Sequence, residues 1–258
     1  MAIIAVMGPH IEIGAEKLFS VLGFPVTNEL LTSWIVVGLL IFVAWRMSRG
    51  IAVIPAMLQN ILEFFVDGFI GMAEGILGSR AAAEKYFPLI ATSFLFILTS
   101  NWLGILPGVG SIGFYETHGH ESIFVPFFRS AASDINTTLA LATITVLLIH
   151  VFAVGALGLR GHMSKFFTLK GPIEFFVGIL ELVSEFAKII SFSFRLFGNI
   201  FAGEVLLIIT GFLAPFGAPI PFLMLEIFVG FVQALVFAML TTVFLSIAVA
   251  DHAGAEHH

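Results

Sequence analysis

The sequence predicts an all-α integral membrane protein. About five transmembrane helices are joined by one interfacial amphipathic helix, and the chain closes on a long, strongly tilted carboxyl-terminal helical hairpin. Three observations predict this. The 258 residues are 59% hydrophobic with a mean hydropathy of +1.08, beyond what soluble domains reach. Apolar runs long enough to cross a bilayer recur along the chain. The last two runs are separated by GFLAPFGAPIP (Gly211–Pro221), whose three prolines and two glycines turn the chain back on itself.

In chain order, residues 1–29 form an outer amino-terminal segment. No basic residue precedes Lys17, which argues against a cleaved signal peptide. Leu30–Trp45, Tyr86–Leu106 and Ile135–Leu159 are charge-free spans. Residues 51–78 are apolar enough to resemble another, but Gln59, Glu63, Asp67 and Glu74 gather within about 80° of helical arc. Arg46 and Arg49 precede this segment and Arg80 and Lys85 follow it. A helix lying flat or re-entering keeps both basic clusters on one side, so we read it as interfacial, with a buried sixth helix as the alternative. Ile173–Phe212 and Pro219–Ala250 are apolar runs interrupted by charges. The first would extend about 60 Å as one helix, twice the hydrocarbon thickness, which favours strong tilt over residues 173–250.

Basic residues set the orientation. With the amino terminus outside, Arg46, Arg49, Arg80, Lys85, Arg160, Lys165 and Lys170 fall in inner loops, and only Lys17 and Arg129 fall outside. The expected topology is therefore amino terminus out and carboxyl terminus in, with 1–258 as a single membrane domain. Cysteine is absent, which excludes disulfides, thiolate metal sites and cysteine nucleophiles.

A polar stripe crosses the fourth span. Glu181, Ser184, Lys188, Ser191, Arg195 and Asn199 recur at spacings of three and four, on one helix face roughly 27 Å long. Its costliest member is Arg195. A central arginine costs about 2.5–3.5 kcal/mol on insertion scales and cannot be neutralised at physiological pH. Glu181 and Glu185 lie too far along the axis to pair with it, at about 15 Å or more. Lys188 follows Glu185 by three residues, a spacing that allows direct contact. Glu204 lies nine residues after Arg195, on the opposite face. Glu226 follows the turn, on the same face as Gln233, and the hairpin brings it to the depth of Glu204. Two such carboxyls can hold or relay a proton.

Other polar groups have structural readings. Asp134, with Asn136 and Thr137, caps the third span. Asn101 and Trp102 before Pro107 mark a helix end and an interface anchor. His118, His120 and Glu121 read as a solvated loop, and the ending HAGAEHH is too irregular for a metal site. No HExxH, GxSxG, Walker A or GxGxxG pattern occurs.

RLFGNIFAGE (Arg195–Glu204), preceded by GPIEFF and ELVSEFAKIISFSF and followed by QALVFAMLTTVFLSIA (Gln233–Ala248), resembles subunit a of the F-type ATP synthase. SNWLGILPG (Ser100–Gly108) and SDINTTLALA (Ser133–Ala142) are similar to earlier segments of that family. The resemblance implies a non-catalytic stator subunit beside a rotating ring of c subunits, each carrying one buried carboxylate. Protons would enter and leave by two aqueous half-channels separated by Arg195. It implies Glu204, Glu226, Asn199 and Gln233 in the outer path, and Glu181, Ser184 and Ser191 in the inner one. In that family the positions of Glu204 and Glu226 vary between glutamate and histidine; here both are glutamate. The implied partners are the c-ring, peripheral-stalk b subunits, the rest of the complex and the lipid of a bacterial cytoplasmic membrane. No nucleic acid, cofactor or metal is implied. Two other readings remain at this point: a self-contained proton or ion channel or transporter, and an intramembrane hydrolase using Glu, His150 and Ser.

Overall fold

In the computed structural model, the described residues are 14–21, 23–49, 57–106, 108–118, 121–166 and 171–250. The elements in order are β1 (Lys17–Val21), β2 (Phe24–Thr27), α1 (Asn28–Ser48), α2 (Met57–Leu77), α3 (Arg80–Ile105), β3 (Gly113–His118), β4 (Glu121–Pro126), α4 (Ile135–Phe166), α5 (Pro172–Leu213) and α6 (Pro219–Val249). Five of these helices, α1, α3, α4, α5 and α6, are long and apolar enough to cross a membrane. The protein is an all-α membrane protein, and each expected span lies inside one of these five helices to within a residue at its ends.

Local chemistry sets the helix ends. The Asp134 carboxylate accepts from the backbone N–H groups of Asn136 and Thr137, both at 3.2 Å, and so caps α4 as its sequence suggests. α5 and α6 each begin on proline, where a missing N–H costs nothing. α5 runs 42 residues, about 63 Å. Only 11% of its apolar window is buried within the chain, so most of this helix faces lipid or a partner.

The chain divides into two compact units. The first takes its described residues from Met1–Val43, Leu95–Thr138 and Phe194–Ala234. Val26, Val36, Ile97, Val125, Leu196 and Ile200 are buried in it. It also holds two short antiparallel hairpins, β1–β2 in the outer amino-terminal segment and β3–β4 around the stretch that reads from sequence as a solvated loop. Asn101 Nδ2 donates to the Gly230 carbonyl at 3.3 Å and Trp102 Nε1 to the Ile227 carbonyl at 3.1 Å. These two residues therefore tie α3 to α6, beyond the anchoring role expected of them.

The second unit comprises Ala44–Phe94, Leu139–Ser193 and Leu235–His258, of which 50–56, 167–170 and 251–258 lie outside the described residues. Its α2 buries Phe69, Ile70 and Ala73 while Glu63 and Asp67 stay exposed, the amphipathic division expected of residues 51–78. Phe65, Phe69 and Phe94 pack with ring centroids 4.6–5.5 Å apart. Phe192 of α5 packs against Phe237 of α6, with ring centroids 4.6 Å apart and the planes tilted by 44°. α4 extends past Leu159, where the sequence placed the end of the span, to Phe166, but it breaks at Gly158. His162 thus shares an element with His150, which from sequence was the only histidine inside a span. His120 and the HAGAEHH ending lie outside the described residues.

Candidate functional site

Each unit holds a polar cavity. The cavity of the first unit, of about 290 Å³, is lined by Arg129, Glu204, Glu226, Asn101 and Ser130 among others. Glu204 and Glu226 do share one space, as their positions about the turn suggest. Their carboxyls are held differently. Arg129 Nε donates to Glu204 Oε1 at 2.7 Å, and Arg129 Nη1 donates to Glu29 Oε1 at 3.3 Å and to the Gly14 carbonyl at 3.3 Å. The Arg129 side chain is only 10% exposed and that of Glu29 is fully buried. Burial works against the Arg129 charge, but the hydrogen bond and charge of Glu204 and the charges of Glu29 and Glu16 outweigh it and hold the guanidinium above its ordinary pKa.

Glu226 has 7% of its surface exposed, and its carboxyl rests against the bare Cα of Gly203. A Cβ at residue 203 would lie 2.6 Å from Glu226 Oε1, so only glycine lets the carboxyl approach α5 this closely. One oxygen of each acid, Oε2 of Glu29, Glu204 and Glu226, has no hydrogen-bond partner among the described residues. Those of Glu204 and Glu226 line a cavity large enough for water, where water or a proton can bind. Asn199 Nδ2 donates to Gln233 Oε1 at 3.0 Å, joining α5 to α6 outside the cavity wall.

The cavity of the second unit, of about 210 Å³, is lined by Glu181, Glu185, Lys188, His150, His162 and Lys165 among others. Lys188 Nζ donates to Glu185 Oε1 at 2.6 Å, the contact their spacing allowed. Lys165 Nζ donates to the Ala248 carbonyl at 3.0 Å. Ser184 and Ser191 are not in the cavity wall, and Ser191 is exposed. Arg195 lines neither cavity and is exposed on α5.

Sequence reasoning missed Arg129 and Glu29, counting the first only for topology and placing the second in the outer segment. The available signal was an arginine five residues before the cap of one span and a glutamate at the head of another. His162 and Lys165 were missed because the span was ended too early.

Five helices long and apolar enough to cross a membrane, with acids, lysines and histidines in polar cavities, define the class: multi-pass helical membrane proteins. The family model described as ATP synthase A chain matches residues 30–246, and the chain belongs to that family. It is 32% identical to ATP synthase subunit a of Moorella thermoacetica over 92% of this chain and 97% of that one. It is 33% identical to ATP synthase subunit a of Mycobacterium bovis over 98% of both. It is also 33% identical to ATP synthase subunit a 2 of Bradyrhizobium sp. over 90% of this chain and 93% of that one. Membership places the chain among the membrane proteins of ATP synthesis and proton transport.

Proposed function

We propose that this chain is the proton-translocating stator subunit of a rotary F-type ATP synthase, non-catalytic by itself, with two aqueous half-channels facing a ring of c subunits. The observation that carries the reading is an acid-lined cavity within each unit, together with an exposed Arg195 in the wall of neither. The first-unit cavity, with Glu204 and Glu226 and with Asn199 and Gln233 close by, serves as the outer path. The second-unit cavity, with Glu181, serves as the inner path, and Ser184 and Ser191 continue it along the α5 stripe.

A ring carboxylate facing lipid keeps its proton because its charged form is desolvated; beside Arg195 the ionised form is favoured and the proton leaves. The same permanent cation repels a proton crossing directly between the paths. The membrane potential supplies about 2.3 kcal/mol per charge per 100 mV. In this arrangement the amino terminus lies outside a bacterial cytoplasmic membrane and the carboxyl terminus inside. The 51–78 helix lies in the interface, and the 173–250 hairpin tilts to follow the ring. The peripheral-stalk b subunits and the remaining complex hold the chain still.

Cysteine accessibility tests the two paths. Glu181→Cys, Ser184→Cys and Ser191→Cys should react with thiolate-specific reagents from the inner side. Glu204→Cys, Glu226→Cys and Gln233→Cys should react from the outer side. Labelling of all six from one side would replace half-channels with a continuous pore.

A further inference from the structure

The second unit contains a histidine pair built by a break in α4. His150 and His162 are 12 residues apart, which in an unbroken helix means about 18 Å of rise and a third of a turn out of phase. Their ring centroids are 5.2 Å apart. The chain closes that distance at Gly158, where φ of 74° and ψ of 161° interrupt the helix. That region is essentially reserved for glycine. Phe166 sets its ring edge-on to both imidazoles, at 6.0 and 5.3 Å.

Both rings line the cavity, His162 is 4% exposed, and neither Nδ1 has a hydrogen-bond partner among the described residues. A buried ring nitrogen without a partner is costly unless water or a proton reaches it. Among the described residues, the charged groups facing the pair are Glu181, Glu185 and Lys188 on α5 and Lys165 at the end of α4; α6 contributes Ile247 and Ala248. Lys188 occupies Glu185 Oε1, and Glu185 Oε2 faces His150 Nε2 at 3.6 Å.

We propose that His150 and His162 are a proton-exchanging pair, taking protons from water in this cavity and passing them to the carboxylates of α5. Imidazole binds and releases protons near neutrality and can do so at either nitrogen. A hydronium ion in the cavity gives a proton to a ring nitrogen: one O–H bond breaks, one N–H bond forms, and water remains. The imidazolium at His150 then gives its Nε2 proton to Glu185 Oε2. The new O–H bond leaves the ring neutral, and no other reactant is needed. Two imidazolium rings this close repel one another, and Lys165 lies in the same cavity wall. Lys188 fixes Glu185 where it can accept.

The inference rests on reading this cavity as a half-channel, and the test separates the two claims. In vesicles carrying the whole complex, ATP-driven pumping is followed against the pH of the compartment from which protons are drawn. The His150→Gln/His162→Gln variant, with subunit retention confirmed, should pump about tenfold more slowly on the alkaline side, where capture is limiting, and nearly normally on the acid side. Nitrogen-15 spectra of histidine-labelled wild-type complex supply a second measurement. The two ring signals, assigned by their loss in each single variant, should respond to the pH of the medium. If the double variant does not assemble, these spectra decide alone. An unchanged pH profile in the assembled double variant, or ring signals that ignore pH, overturns the proposal. Normal pumping by Arg195→Ala would instead overturn the half-channel reading while leaving the ring titration to stand or fall by itself.

Discussion

Arg129 and Glu204 meet in the first-unit cavity, Nε to Oε1 at 2.7 Å, and Arg129 reaches the fully buried Glu29 with its other arm. One guanidinium thus serves two carboxylates, and the cavity that it lines with Glu204 also takes in a third, that of Glu226. The three acids are not equivalent. Glu204 and Glu29 are counter-ions, and Glu226 packs on glycine with no cation beside it among the described residues.

Removing the cation should therefore cost more than removing the acid. Arg129→Gln leaves two carboxylates uncompensated and should destabilise the assembled subunit by about 3–5 kcal/mol. Arg129→Gln/Glu204→Gln should recover part of that loss, since only Glu29 is then stranded. Arg129→Lys should not rescue, because a single ammonium cannot serve both acids as the planar fork does. Thermal denaturation of the purified complex measures all three; additive losses in the double variant would show that the pair is not coupled.

Gly203→Ala isolates the position of Glu226. The added Cβ meets the end of a flexible side chain, so the fold should hold while the carboxyl is displaced. Proton pumping in vesicles should fall several-fold with normal assembly. Gly211→Ala, where nothing lies within 4 Å, is the control and should be neutral or slightly stabilising. Equal pumping by both variants would detach Glu226 from the proton path.

The identity of the residue at 226 should matter through its ability to carry a proton. Glu226→His should pump better than Glu226→Leu, because imidazole still relays. Glu204→Gln/Glu226→Gln should pump least. Full activity in that double variant would make both acids structural.

How much of this was legible follows from which physics acts locally. The spans were readable because an apolar run of bilayer length carries its own reason to be a helix. Asp134 was readable as a cap and Lys188 as the partner of Glu185, since both relations lie within one turn. Arg129 was not, because Glu204 is 75 residues away and no periodicity links them. The histidine pair depended on one glycine: GALGLRGHM continues an apolar helix by pattern, and only the positive φ of Gly158 turns it. The hairpin strands GFYETH and ESIFVP are too short to register beside runs four times their length.

That glycine gives a stability expectation of its own. Gly158→Ala forces a Cβ into φ of 74° and ψ of 161° and should cost about 1–3 kcal/mol. Gly155→Ala, in regular helix with open space around it, should cost nothing or stabilise. Thermal denaturation of the two variants distinguishes them, and equal stability would mean that α4 does not break at this position.

The central claim rests on Arg195, and one paired assay tests it. In vesicles with confirmed assembly, ATP-driven acidification and passive proton flux under an imposed potential are measured for wild type, Arg195→Ala and Arg195→Lys. The alanine variant should assemble, since losing a membrane-buried cation relieves an insertion cost, but it should neither pump nor hold a gradient. The lysine variant should leak less than alanine yet pump poorly, because lysine keeps part of the charge but can lose its proton when desolvated. Abolished pumping with increased leak in Arg195→Ala is the expected result; normal pumping by that variant would contradict the account.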